Sequence, residues 1–149
     1  MANVLYPSGS ENLLKGNFHL CTSDQGVLSG TAAVLINNNY TYGVSHEFYS
    51  SSVAGGGANV VAGPIVVGSV GCVTGTLTGS DVTFSSVAAG QTVRHVVIFQ
   101  SGTLAGTNDY LLANFETGSG GTEINISTNG GDITISWATN GILTLSGGC

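Results

Sequence analysis

Three histidines, His19, His46 and His95, are the side chains best suited to move protons near neutral pH. A hydrolase would need one of them beside a nucleophile and an orienting group. His95 stands next to Arg94 inside an apolar run, and His19 alternates with Phe18 and Leu20, so both read as strand residues. His46-Glu47 in VSHEFYS matches the first half of the zinc-protease HExxH motif. Position 50 is serine, however, and the segment is too rich in Ser and Gly for the helix that sets two histidines on one face. The eight acids are scattered, and Asp81, Asp109 and Asp132 each sit beside turn-forming residues, where a carboxylate caps a turn or opens a strand. Gly55-Gly56-Gly57 lacks the lysine and the strand-then-helix setting of a phosphate cradle. No catalytic residue, metal site or cofactor is expected.

Residues suited to binding are easier to find. Tyr40, Tyr42, Phe48 and Tyr49 cluster in a loop-like stretch, followed by Val53, Val60 and Val61. Aromatic side chains in such a setting suit an interface with another protein, or a carbohydrate surface. Cys21, Cys72 and Cys149 are too far apart for a zinc knuckle or a redox pair and read as buried or terminal thiols. A Cys21–Cys72 disulfide is allowed by the sequence, which offers nothing in its favour.

Composition limits the partners. Charged residues make up 7% of the 149, against roughly 25% in ordinary soluble domains. The cations are Lys15 and Arg94 alone, the net charge is -6, and no basic patch exists for nucleic acid. No apolar run approaches a membrane span, and the opening MANVLYPSGS lacks the layout of a secretory signal, so synthesis in a cytoplasm is expected. The surface must be covered by Ser, Thr, Asn and Gly. Hydroxyls and amides can exchange water for hydrogen bonds to a neighbour, so such a surface favours assembly.

The elements that must position these residues are short strands. A capping-box spacing from Ser8 to Glu11, with Gly16 as a stop, predicts one short N-terminal helix. Strands are predicted at 17–22, 31–36, 60–73, 81–84, 93–100, 110–115, 123–127, 132–137 and 142–145. Ile133, Ile135 and Trp137 alternate with Thr134 and Ser136, the mark of a strand buried on one face. Val96-Val97-Ile98-Phe99 is continuously apolar, as in a central strand covered on both sides. Asn140-Gly141 predicts a tight hairpin joining the last two strands as neighbours. The whole reads as one all-β domain over 1–149, an antiparallel sandwich or barrel of jelly-roll or immunoglobulin-like type. The stretch 50–62, SSSVAGGGANVVA, is expected to be a mobile loop or arm, and 118–121 a second hinge-like loop.

Three blocks carry a resemblance: MANVLYPSGSENLLKG at the start, LTGSDVTFSSVAAGQTVRHVVIFQSGT in the middle, and TNGGDITISWATNGILTL at the end. Together they resemble a recurrent family of small virion structural proteins of tailed bacteriophages, with order and spacing kept over about half the chain. The stretch between His46 and Gly63 departs from the more acidic pattern of that family. The resemblance implies a capsid decoration, or cement, protein on the virion surface. It further implies a homotrimer that bridges major capsid protein subunits, with no catalytic motif. The alternative is a tail, baseplate or head-fibre adhesin that binds host glycan.

Overall fold

The computed structural model describes residues 3–15, 30–101 and 109–145. It is an all-β, sandwich-like fold with one short helix near the N-terminus. At its centre lie two long antiparallel strands, β2 (Gly30–Asn37) and β7 (Thr92–Ser101), paired from Gly30 with Ser101 to Asn37 with Val93. Both are apolar on both faces because both faces are covered, as the VVIF run predicts. The sheet is completed in the order β1-β8-β7-β2-β3, from β1 (Val4–Leu5), β8 (Leu111–Phe115) and β3 (Val60–Val66), with β9 (Ile126–Ser127) attached to β7.

Two small sheets lie over one face. β6 (Val82–Phe84) pairs with β10 (Ile133–Ile135), and β5 (Thr76–Thr78) stands between β4 (Gly71–Val73) and β11 (Leu143–Thr144). Leu77, Val82, Phe84 and Ile142 from this layer pack with Leu35, Val96, Ile98 and Leu112 of the main sheet. The opposite face, with Val34, Ile36, Val97, Phe99 and Leu111, is covered by Tyr6, Tyr40 and Val53.

Several expectations change in the folded chain. The helix, α1 (Pro7–Leu14), begins with proline in its first turn and has no side-chain cap at Tyr6, so the Ser8 to Glu11 capping box does not form. Ser8 Oγ instead donates to the carbonyl of His46, 2.9 Å away. Gly9 lets the helix lie directly on β8, for a Cβ there would stand 2.5 Å from the Leu111 carbonyl oxygen. The predicted strand 60–73 is broken at Gly68-Ser69, where Ser69 has φ +50°, and Thr74-Gly75 then turns tightly at positive φ into β5. The 50–62 stretch is not a loose arm: Tyr49–Val53 forms one π-helical turn, Gly55–Gly57 a 3-10 turn, and β3 begins at Val60. Val53 is wholly buried, and the Asn59 amide holds its carbonyl at 2.9 Å. The 118–121 loop contains a 3-10 turn, Ser119–Gly121.

The Asn140-Gly141 turn forms, with Gly141 at φ +98° against the Leu77 carbonyl. The strands on either side of it diverge into different sheets and meet only at a bridge between Ala138 and Gly141. Cys72 is exposed on β4 and disulfide-bonded, which corrects the free-thiol reading. A three-residue strand in a small sheet has little core of its own, so a covalent tie there adds what packing cannot. Cys21, Cys149, His19 and the predicted strand 17–22 lie outside the described residues.

Leu35, wholly buried between the layers, gives the first test. Leu35→Ala should lower the unfolding free energy by about 2–5 kcal/mol. Val66→Ala, at an exposed edge position, should change it by no more than about 0.5 kcal/mol. Denaturant midpoints of the two variants check the difference.

Candidate functional site

Two places gather the residues capable of chemistry or binding, one on each face of the main sheet. The first lies where β2 ends. Asn37 reverses the chain there: its backbone N–H donates to the Asn59 carbonyl, its side-chain amide to the Ala58 carbonyl, and its Oδ1 accepts from the Asn39 N–H. The following residues lie across the sheet and bring Tyr40 and His46 over Tyr6.

Hydrogen positions in this cluster follow from one backbone group. The Gly43 N–H donates to His46 Nδ1 at 3.2 Å, so that nitrogen is a bare acceptor and the ring proton is on Nε2. Tyr40 O–H must then donate to the same Nδ1, at 2.9 Å, and Tyr6 O–H to the Tyr40 oxygen, at 2.8 Å. Burial raises both phenol pKa values, that of Tyr40 to about 12 and that of Tyr6 further still, so both hold their protons. The result is a directed chain from Tyr6 through Tyr40 to His46.

His95 lies edge-on to Tyr40, with ring centroids 5.1 Å apart. Its Nδ1 is 3.4 Å from Glu116 Oε1, close enough for an ion pair but aimed wrongly for a hydrogen bond, and Asn114 donates to the same oxygen at 3.2 Å. Burial, and more weakly Arg94, lowers the His95 pKa; Glu116, Asn114 and the Tyr40 carbonyl oppose the shift without reversing it. His95 and Glu116 are both almost closed to solvent. Glu47, the other half of the sequence match, sits in extended chain, where its carbonyl accepts from the Leu111 N–H. This geometry ties residues 40–47 to the sheet. Among the described residues no three His, Cys, Asp or Glu side chains gather to hold a metal.

The residues read as an interface belong largely to the same layer. Tyr40, Val53 and Val61 are buried in the chain's own core and so are not available to a partner. Tyr42, Phe48, Tyr49 and Val60 are half-buried beside them. Tyr49 stacks on Phe99 at 4.3 Å with rings 6° from parallel, and Phe48 packs on Tyr110 at 5.2 Å.

The second place was not singled out in the sequence. An open groove of about 790 Å3 lies beside Trp137, lined by Phe115, Ile124, Ile126 and Leu143, with Thr117, Ser119 and Asn140 at its polar parts. Trp137 is clamped: its indole N–H donates to the Ser80 carbonyl at 2.9 Å, and its backbone N–H to Asp81 Oδ1 at 3.1 Å. Ser136 Oγ–H donates to the other carboxylate oxygen, Asp81 Oδ2, at 2.8 Å. The indole is tilted against Phe115, 6.4 Å between centroids. Among the described residues, none that lines the groove is charged. The TISW alternation places Trp137 on the inner face, but it cannot show that the layer above is incomplete. No protein-family model, curated protein or solved structure matches the chain.

Two measurements probe the buried network. Tyr6→Phe removes the terminal donor and should cost about 1 kcal/mol, whereas Tyr40→Phe strands the Tyr6 hydroxyl and should cost about 1–3 kcal/mol. For His95, the lowered folded pKa means that the unfolded chain takes up the proton first. Its contribution to stability is therefore complete above the ordinary value of 6.5 and is lost as pH falls from there towards the lower folded value. Denaturant midpoints measured from neutral pH down to about pH 5 should fall less steeply in His95→Gln than in the parent.

Proposed function

We propose that the chain is a structural component of a tailed-phage particle, a capsid cement protein that seats on the assembled head and bridges major capsid protein subunits. The observation that carries this reading is the chemistry of the exposed surface. Lys15 is paired with Glu11, and Arg94 with Glu123 at 3.3 Å. The outer sides of the small sheets carry threonine pairs, Thr83 with Thr134 at 2.9 Å and Thr76 with Thr144 at 3.1 Å. Val44, Val66, Val73 and Leu145 stand exposed. Hydroxyls and single apolar side chains lose little when a neighbour covers them, whereas each unpaired charge would resist.

The three sequence blocks supply the phage assignment, and the surface supports the bridging role. A domain that binds the assembled shell and not its free subunits stabilises the shell by mass action. A trimer seated over a threefold junction would multiply modest contacts through avidity. Quantitative gels of purified particles should show the chain at a copy number on the scale of the shell protein itself. A few copies per particle would sink the cement reading and point to a tail or fibre position.

A further inference from the structure

The groove beside Trp137 lies over the main sheet, where Val96, Phe115, Ile124 and Ile126 form its floor, and is bordered by β10 and β11. Its wall takes in two consecutive residues of β10, Thr134 and Ile135, and both residues of β11, Leu143 and Thr144, with connecting residues 136–138 and 140–142 between them. Successive side chains of a strand point to opposite faces, so a wall made of consecutive residues meets its strand edge-on. The topology agrees. β10 has β6 on one side and β11 has β5 on one side, and among the described residues neither has a strand on the other. Among the described residues β9 pairs with β7 alone, and its Ile126 lines the floor of the groove. The edges of β10 and β11 therefore border one channel with an aromatic and aliphatic floor.

We propose that this groove accepts an extended, uncharged peptide segment of a partner protein, which adds as a strand along β10 and β11 and sets alternate apolar side chains against Trp137, Phe115 and Leu143. An extended backbone is the occupant that uses open strand edges, since it alone offers N–H and C=O groups at the spacing of a strand. A saccharide would use the Trp137 face but neither the edges nor the aliphatic floor. Among the described residues the wall carries no charge, so a charged segment would be desolvated there without a partner. The donor is the major capsid protein, and this identification of the donor rests on the cement reading above.

Trp137 is the chain's single tryptophan, so its fluorescence reports on the groove directly. Overlapping peptides of about ten residues, covering the major capsid protein of the same particle, are titrated against the full chain. At least one uncharged peptide should change the emission saturably, and a proline at its centre should abolish the change, because proline removes a ladder N–H. Ser119→Tyr, a substitution at an exposed groove residue, should weaken that peptide about tenfold or more at an unchanged unfolding midpoint. The proposal is overturned if no peptide gives a saturable change, if the proline peptide binds as well, or if only a neutral oligosaccharide such as maltohexaose responds. Particle counts keep the two readings apart: a chain that decorates heads in high copy yet binds no peptide refutes the groove alone.

Discussion

The antiparallel pairing of β2 with β7 is the constraint on which the rest of the structure depends. Ala33, Val34, Leu35 and Ile36 on one strand, and Val97 and Ile98 on the other, are shut off from solvent. Burying each Val, Leu or Ile side chain contributes roughly 1.5–3 kcal/mol, so the pair is stable only if both of its faces are covered. The buried polar residues of these strands, Thr31, Asn37, His95 and Gln100, flank the apolar runs Ala32–Ile36 and Val96–Phe99. The covering layers must come from distant sequence, and they do. Tyr6 arrives from the N-terminal segment and Val53 from the connection between β2 and β3, while Phe84 and Ile142 come from two small sheets on the opposite face.

That dependence explains what could be read from the sequence. The continuous VVIF run identifies β7 as doubly covered because its composition reports on both faces at once. The alternation through Ile133, Ile135 and Trp137 reports one buried face equally well. β1 and β5, of two and three residues, are too short to show a period. The aromatic residues from Tyr40 to Tyr49 pose a different difficulty. An aromatic among serines and glycines can cover a sheet or face a partner, and only the sheet's need for a second layer decides it. The same tertiary demand turns the 50–62 stretch from a glycine-rich loop into a turn and an edge strand. Pro7 set the helix start more firmly than Ser8, since a fixed φ needs no partner and a cap does.

The two faces are closed by different means. On one, a run without regular strands is fixed by side chains: the Gly43 N–H sets the tautomer of His46, which orients Tyr40 and in turn Tyr6. Each hydrogen bond in that chain has one direction, so the layer is pinned by hydrogen-bond direction as well as by packing. On the other face the cover is made of sheets of two and three strands, and the outward hydroxyls of Thr83, Thr134, Thr76 and Thr144 satisfy one another in pairs.

Small sheets bring a geometric consequence. A two-stranded sheet has as many edges as strands, and where two such units meet over a third surface their edges leave channels. Proteins that stay apart from their neighbours blunt exposed edges with lysine, proline or a bulge. β10 reads Ile-Thr-Ile and β11 Leu-Thr, and neither carries any of these residues. The chain has two cations in all, both spent on ion pairs elsewhere. Scarcity of cations and unblunted edges thus coincide in the small sheets: among the described residues, β10 and β11 carry no charged side chain on the strands themselves.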